Sequence, residues 1–259
     1  MVETIQVGEK TPQDYRIETT NAGGHSSIPV RDNAIYELSE ALLKIRDYEF
    51  PLKMTDTTQA FFAKAGAARG DDVGRAMIAL AANPGDKAAD AIVSTDRSYH
   101  SMLRTTCVAT LLDGGHADNA LPQRAGANVN CRIFPGESVE QTAATLSKVI
   151  GDPRVKVITM GARGPLAAPP PLDPKVIGPA EKLVAKYFPG VPLVPQMSTG
   201  ATDGVFLEAV GIPVYGAPGG WSDPDGNGAH GLNERKSARS VYIGRDFLTD
   251  LVKLYADSE

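Results

Sequence analysis

Two histidines are flanked by glycines, a setting in which an imidazole can do chemistry. His230 lies in the run GNGAHGLNER, and His25 lies in GGHSS between a predicted strand and a predicted helix. Glycine tolerates positive φ, so the neighbouring backbone can approach a substrate or an ion closely. Such an imidazole can bind a metal, transfer a proton or donate to a developing oxyanion. The alternative for each is a loop histidine that only caps or packs.

A second candidate site combines the side-chain amide of Asn119 with the guanidinium of Arg132. Asn119 lies in the strand-linking run DNALP, and Arg132 lies thirteen positions later on the next predicted strand. From adjacent strand ends they could hold a carboxylate together, with the arginine binding in a bidentate manner. The alternative is a turn asparagine and a cross-strand ion pair.

Ser198, Thr199, Gly200 and Asp203 belong to the run STGATD, which passes from a predicted strand into a predicted helix. Hydroxyls and backbone N–H groups at a helix N-terminus can bind an anion. The alternative is an ordinary N-cap made by Thr202 or Asp203. A nucleophilic triad of Ser198, His230 and Asp203 is disfavoured, because the chain has no G-x-S-x-G elbow.

Two further pairs of residues could bind a metal, but neither is expected to do so. His116 and Asp118 match H-x-D spacing but sit in a turn, and we interpret them as loop residues. Cys107 and Cys131 lie in apolar, strand-like runs, which predicts two buried free thiols. A C-x-x-C pair suited to zinc is absent.

Residues 18–160 predict an antiparallel sheet with helices on one face, a two-layer α+β unit. After a strand at 2–8, the predicted elements in order are a strand at 14–20, a helix from Asp32 or Asn33 to Arg46, a helical insertion with short helices broken at Asn83 to Gly85, strands at 103–112 and 124–134, a helix at 137–150 and a strand at 154–160.

The second part begins after a proline-rich linker, Gly164 to Pro174. It alternates in α/β fashion, with helices predicted at 175–188, 203–210 and 237–256 and strands at 191–195 and 212–216. Two clear strands are too few for a closed doubly wound domain.

Composition excludes several classes of function. The chain has 259 residues, 42% of them hydrophobic, and a net charge of −5 with no basic run, so no nucleic-acid partner is expected. It has neither a membrane-length apolar segment nor a signal-peptide core. The cytoplasm is therefore favoured, and an upstream leader is the alternative that stays open.

The motifs occur in an order that resembles the co-catalytic zinc metallopeptidase family, which includes glutamate carboxypeptidase, aminoacylase and succinyl-diaminopimelate desuccinylase. The matching runs are GGHSS-x-P-x-x-x-NA, DNALP with the later arginine, TGATD, and GAP followed by GAHGLNE. The resemblance implies an α/β zinc-peptidase catalytic domain with an inserted two-layer α+β lid that mediates homodimerisation. By this resemblance, residues 1–17 are catalytic-domain strands, 18–160 the lid and 161–259 the C-terminal part of the catalytic domain.

The resemblance also implies roles for residues. His230 matches the family's last zinc ligand, and His25 matches the lid histidine that polarises the scissile carbonyl in the partner's active site. Asn119 and Arg132 match residues that hold the substrate carboxylate. Residues 198–203 (with Ser198, Thr199, Gly200 and Asp203) and the pair Gly219 and Gly220 match loops that line the substrate pocket.

The chain departs from the family pattern in its metal ligands. The family's H-x-D pair, bridging aspartate and Glu-Glu pair are all expected before the region covered here, and no Glu-Glu dipeptide occurs in the chain. A two-zinc site needs about five protein ligands and a base, and His230 is the one matched ligand. Two zinc ions are expected in a full-length member, and this chain alone need bind none.

Two hypotheses on function follow. The chain is part of a truncated zinc-dependent carboxypeptidase or amidohydrolase that cleaves an amide beside a free carboxylate, in a small peptide or an N-acyl amino acid. Alternatively, it is a non-catalytic dimerisation or ligand-binding module, or a half-enzyme that needs an N-terminal partner.

Overall fold

The computed structural model describes residues 1–161, 168–222 and 226–257. In chain order, the first elements are β1 (Glu3–Glu9), β2 (Thr11–Thr20), β3 (Gly24–His25), α1 (Ala34–Asp47), α2 (Asp56–Arg69), α3 (Asp72–Ala82), α4 (Lys87–Val93), α5 (Arg97–Met102) and β4 (Thr106–Gly114). They are followed by β5 (Ala120–Leu121), β6 (Arg124–Ile133), α6 (Val139–Ile150), β7 (Lys156–Met160), α7 (Pro174–Tyr187), β8 (Leu193–Ser198), α8 (Gly204–Glu208), β9 (Tyr215–Gly216) and α9 (Ala238–Ala256).

The larger sheet is antiparallel and has the strand order β4-β6-β2-β7. Side chains alternate between its faces, so Tyr15 and Ile17 of β2 point into a core that also contains Leu38 of α1 and Leu146 of α6. The sheet and these two helices form the predicted two-layer α+β unit, and this prediction is confirmed.

Local signals explain where the two covering helices begin. Asn33 caps α1, because its side-chain oxygen accepts a hydrogen bond from the Ile35 N–H at 2.9 Å. Ser138 and Gln141 form a reciprocal capping box at the start of α6. The break predicted at Asn83 to Gly85 is confirmed, since it separates α3 from α4.

The helical insertion, α2 to α5, packs against the smaller sheet. Its core contains Phe62, Met77 and Leu80, and Val194 of β8 belongs to the same cluster. Helix α2 contacts β8 directly. This insertion was predicted inside the 18–160 unit, but its apolar core is completed by Val194 of β8, a strand from the second part of the chain.

The smaller sheet has the order β8-β1-β9, with β1 parallel to β8 and antiparallel to β9. Ile5 and Val7 of β1 pack on Leu183 of α7 and Phe247 of α9. Strand pairing changes from this sheet to the larger one at Lys10, because β2 already pairs with β6 at Thr11. The pairing therefore changes seven residues before the predicted boundary at 17/18, and the division into domains stays a prediction.

The two cysteines form a disulfide. Cys107 and Cys131 are directly opposite each other on β4 and β6, with 4.1 Å between their Cα atoms. The prediction of two free thiols was wrong. Each cysteine was judged from its own apolar run, whereas pairing depends on a cross-strand register that brings residues 24 positions apart together.

Part of the predicted linker can be compared with the structure. Residues 168–173 contain neither helix nor strand, and Gly164 to Ala167 lie outside the described residues. Among the described residues, no helix is long and apolar enough to cross a bilayer.

Lys10 lies buried at the junction of the two sheets. Its Nζ donates hydrogen bonds to Ser101 Oγ and Thr106 Oγ1, both at 3.2 Å. Burial, and then the positive charges of Arg132 and Arg104, lower the pKa of Lys10 to about 7, against an opposing effect of Glu137. The junction therefore holds an amine that is largely uncharged above neutral pH.

We expect the free energy of unfolding to rise with pH between about 7 and 10.5, because there the unfolded chain keeps a proton on Lys10 that the folded chain has released. The slope reaches at most about 1.4 kcal/mol per pH unit. Urea denaturation at several pH values should show this rise in the wild type and lose it in Lys10→Met. Lys182→Met, at an exposed position of α7, should keep it, and equal slopes in all three proteins would contradict the prediction.

Candidate functional site

His25 and Asn119 lie together at one end of the larger sheet. Strand β3 pairs with β5, placing His25 opposite Ala120, and the Ser26 N–H donates to the Asn119 carbonyl at 3.0 Å. Both side chains are exposed. The structure thus joins two predicted site residues from distant parts of the chain in one hairpin-like projection.

The proton of a neutral His25 is on Nε2. The Ser27 N–H donates to His25 Nδ1 at 3.2 Å, and the Ser27 hydroxyl lies 2.8 Å from the same nitrogen. A nitrogen that accepts an N–H bond is unprotonated in the neutral ring, so Nε2 is the donor. This tautomer suits donation to a carbonyl oxygen.

The glycines before His25 are required by the backbone. Gly23 has a φ of 76°, and a Cβ there would lie 2.6 Å from Cγ of Gln123. An L-residue would therefore be strained and would push the β3 segment away from β5. Close contact between the two segments places His25 beside Asn119.

Arg132 lies near the other end of the larger sheet. It pairs with Pro12 of β2 and Thr106 of β4, and its charge acts on Lys10 at the junction of the two sheets. The side chain is half-buried. No other side chain in the described ranges forms an ion pair with its guanidinium, which leaves it available for a ligand.

Asn119 and Arg132 cannot hold one carboxylate within a single chain. Asn119 lies in the loop before β6, whose first residue is Arg124, and Arg132 comes eight residues later on the same strand. At about 3.4 Å per residue, that places the start of β6 about 27 Å from Arg132. The ten-residue strand therefore separates the two side chains within one chain, and their shared role in holding a carboxylate stays a prediction.

The run from Ser198 to Asp203 lies at the C-terminal end of β8, on the Arg132 side of the molecule. The Lys10 N–H donates to the Ser198 carbonyl at 3.2 Å. Within the loop, the Gly200 N–H donates to Ser198 Oγ at 3.2 Å. The structure therefore brings this loop to the sheet junction where Lys10 and Arg132 also lie.

The helix that follows this loop is short. α8 spans five residues, and its N-cap residue Asp203 makes no side-chain capping bond, while Thr202 Oγ1 accepts from the Gly204 N–H at 3.1 Å. Such a helix adds little macrodipole. An anion at this loop would depend on its backbone N–H groups and hydroxyls.

Gly219 and Gly220 are held by a buried carboxylate. Their N–H groups donate to Glu3 Oε1 at 2.7 and 3.2 Å. Gly219 has a φ of 113°, and a Cβ there would lie 2.6 Å from the Phe247 ring. The two glycines lie beside the first residue of β1, Glu3, which is six residues and about 20 Å along the strand from Glu9. Their predicted role in a substrate pocket stays a prediction, and their N–H groups are already engaged.

His230 is exposed and has a φ of 61°, which is uncommon for a residue with a side chain. Its loop is closed by bonds from the Gly231 N–H to the Gly228 carbonyl and from the Arg235 N–H to the Asn227 carbonyl, both 2.8 Å. Over residues 1–161, 168–222 and 226–257, no three histidine, cysteine or acidic side chains are grouped to hold a metal. These residues alone do not fit a zinc centre.

Two buried acids, Glu3 and Glu9, and the half-buried Glu208 lie around the loops and were not among the predicted site residues. Glu9 and Glu3 are 3% and 8% exposed, and each accepts hydrogen bonds from a glycine-containing loop. Burial, and then the negative charge of Glu9, raise the pKa of Glu208 to about 7. Glu3, Ile5, Val7 and Glu9 alternate along β1, and this alternation with two apolar residues was the available signal that both acids point inward.

Comparison with known proteins identifies a family for the part of the chain that contains the larger sheet. The family described as peptidase dimerisation domain covers residues 7–157 of the chain. The chain belongs to this family. Its M20 membership confirms the resemblance drawn from the four motifs.

Relatives of this M20 chain include carboxypeptidases and acyl-amino-acid enzymes. It is 25% identical over 262 residues to a probable carboxypeptidase S-like protein of Dictyostelium discoideum, covering 97% of this chain and 48% of that protein. It is 25% identical over 255 residues to the human N-fatty-acyl-amino acid synthase/hydrolase PM20D1, covering 96% of this chain and 50% of the relative. The chain thus spans about half the length of these relatives.

Solved M20 structures share its fold. A metallo-carboxypeptidase from Sulfolobus solfataricus superposes with a TM-score of 0.65 at 18% identity, covering 98% of this chain and 60% of that one. The di-peptidase Dug1p from Saccharomyces cerevisiae gives 0.65 at 17% identity, covering 100% and 57%. At these identities the similarity establishes the fold.

Proposed function

We propose that this chain supplies the substrate-binding and subunit-bridging part of an amide hydrolase that acts beside a free carboxylate. The observation that carries the proposal is the placement of Arg132 and the Ser198–Asp203 loop at the sheet junction, while His25 and Asn119 lie beyond the other end of β6, which is about 27 Å long from Arg124 to Arg132. Two copies of the chain can bring both sets to one substrate.

In this arrangement, Arg132 binds the substrate carboxylate in a bidentate manner. Asn119 of the partner subunit completes the carboxylate site, and the partner's His25 donates from Nε2 to the oxygen that becomes negative. The backbone and hydroxyls of the Ser198–Asp203 loop line the pocket beside Arg132. Each of these tasks is binding or orientation, which this chain's own residues can perform.

The metal site lies outside this assignment. His230 matches a zinc ligand of the family, but the described part of the chain does not group a second and third ligand with it. We therefore assign no step of hydrolysis to a metal held by this chain. A half-enzyme completed by another polypeptide, or a ligand-binding dimerisation module, remains the second candidate for this reason.

The names of the relatives indicate the substrate class. A carboxypeptidase cleaves the amide next to a C-terminal carboxylate, and an N-fatty-acyl-amino acid hydrolase acts on an amide next to an amino-acid carboxylate. Both substrates share an acyl group, an amide and a free carboxylate. A small peptide or an N-acyl amino acid is therefore the proposed ligand.

Isothermal titration of the purified chain tests the proposal. An N-acyl amino acid should bind, and its methyl ester should bind at least about 10-fold more weakly, because the ester cannot form the charged bidentate pair. Equal affinities for acid and ester would refute carboxylate recognition. Absence of binding to either would refute the proposed substrate class.

We infer that the homodimer forms through the edge of the larger sheet. Strand β4 is an edge strand, and its Val108, Leu111 and Leu112 are 60, 70 and 71% exposed. An apolar edge strand with free N–H and C=O groups is suited to pair with another strand. The family's description as a dimerisation domain supports this use of the edge.

Replacing Leu111 and Leu112 together by lysine should raise the dimer dissociation constant by about 100-fold, because two apolar contacts are lost and edge lysines repel a paired copy. Sedimentation velocity over a concentration series would measure the shift. Ile92→Lys, on an exposed position of α4, should leave the constant unchanged. A double variant that dimerises like the wild type would place the interface elsewhere.

The disulfide favours an oxidising compartment. Cys107 and Cys131 are the chain's only cysteines, and both are used. Disulfides persist in exported proteins and are rare in reducing cytosol. We therefore propose export in place of the cytoplasm favoured by the sequence. Thiol labelling of the denatured, unreduced natural protein should find no free cysteine. Labelling of both cysteines would instead support a cytoplasmic location.

A further inference from the structure

Strand β1 carries a buried carboxylate at each end, and each carboxylate binds a different loop. Glu9 lies at the end next to the Ser198–Asp203 loop, and Glu3 lies at the end next to Gly219 and Gly220. Burying a carboxylate is unfavourable unless hydrogen bonds replace its water. Both acids meet that condition with loop donors, so the loops and the acids stabilise each other.

Glu9 makes the more specific set of contacts. Its Oε2 accepts from the Thr202 N–H at 2.7 Å, and its Oε1 accepts from the Thr202 hydroxyl at 3.1 Å. Gln6 Nε2 also donates to Oε2 at 3.2 Å. Thr202 Oγ1 in turn accepts from the Gly204 N–H at 3.1 Å. One carboxylate thus fixes both the backbone and the side chain of Thr202.

A carboxylate suits this geometry better than an amide, because three donors converge on it. Both of its oxygens accept, one from an N–H and one from an O–H of the same residue. A glutamine of the same shape has one oxygen and one NH₂ group, so it can accept from only one of the two Thr202 donors. The next residue, Lys10, adds a backbone bond to Ser198, so the start and the middle of the loop are both tied to β1.

We propose that Glu9 is a positioning residue that holds the Ser198–Asp203 loop in its ligand-binding conformation. The loop's role in binding rests on the function proposed above. Glu9 is 3% exposed and points to Thr202, so it acts through the loop. Charge-assisted bonds of this kind are among the stronger hydrogen bonds of proteins.

Hydrogen exchange of the Glu9→Gln variant tests the anchoring. Amides of residues 199–204 should exchange about 10-fold faster, because local opening becomes easier when one Thr202 donor loses its acceptor. Amides of 219–221 should be unchanged. Glu3→Met is the comparison on the same strand, because it removes the single oxygen, Oε1, that accepts from both Gly219 and Gly220, and it should loosen 219–221 and leave 199–204 unchanged.

A second pair of variants changes Thr202 without placing a new group at the buried Glu9 position. Thr202→Val removes the hydroxyl donor and should accelerate exchange at 203–204, whereas Thr202→Ser keeps the hydroxyl and should behave like the wild type. Unchanged exchange at 199–204 in folded Glu9→Gln, or an equal acceleration over the whole chain, would overturn the proposal.

Ligand titration separates this inference from the function on which it rests. The affinity of Glu9→Gln for an N-acyl amino acid should fall about 10-fold, and Glu181→Gln on the exposed face of α7 should bind like the wild type. A loosened loop with unchanged affinity would overturn the positioning role. A wild-type chain that binds no such ligand would instead overturn the proposed function, and the exchange data would still report whether Glu9 holds the loop.

Discussion

Replacing Arg132 by methionine should weaken binding of an N-acyl amino acid about 100-fold, because a bidentate pair of charged hydrogen bonds contributes about 3 kcal/mol. The guanidinium has no carboxylate partner among the described residues, so its removal leaves no unpaired acid behind. Arg132→Lys should recover only part of the affinity, since an ammonium cannot form the planar two-bond contact. Isothermal titration would measure all three proteins.

Arg124→Met is the matched control for this loss. Arg124 lies on the same strand and the same face, eight residues before Arg132, and it is paired with Glu18. It carries the same charge, so a general electrostatic effect on an anionic ligand would weaken both variants alike. Retained binding in Arg132→Met, or equal losses in both, would show that Arg132 does not contact the carboxylate.

Local elements of this fold could be predicted because their signals are local. Helix α1 was expected from Asp32 or Asn33 to Arg46 and spans Ala34–Asp47, since an N-cap and helical spacing lie within a few residues of each other. The break between α3 and α4 followed from a Pro-Gly pair in the same way. Such signals need no knowledge of what packs on the element.

The contacts between distant segments could not be predicted. The disulfide depends on Cys107 and Cys131 being opposite each other across two strands. Val194 completes the core of a helical insertion about a hundred residues earlier in the chain. Sequence periodicity gives the buried face of each element, but not the element that covers it.

The candidate site shows the same limit. The four motifs gave candidate residues for a binding site, and the family match confirms the family that these motifs indicated. The separation of Asn119 from Arg132 follows from the length of β6, and the strand predicted at 124–134 already contained that signal. Glu9 was overlooked because a glutamate at a strand end is usually a solvated residue, and its burial follows only from the loop that returns to it.

Two variants that each fail to bind an N-acyl amino acid tightly should bind it when one copy of each forms a mixed dimer. In the first variant, His25→Ala and Asn119→Ala remove the two functional side chains from the exposed projection. In the second variant, Arg132→Met removes the guanidinium at the sheet junction. Each homodimer has two incomplete sites. A mixed dimer has one complete site, because the Arg132 of one copy meets the projection of the other.

Co-expression at equal levels should therefore give tight sites at about a quarter of the wild-type number, since about half of the dimers are mixed and each holds one complete site of two. Isothermal titration reports this number as a stoichiometry, independently of the affinity. A site built within one chain would give no tight binding in the mixture, because every chain carries a defect. Adding the Leu111→Lys and Leu112→Lys changes to both variants should abolish the recovery, because the two copies would then no longer meet through β4.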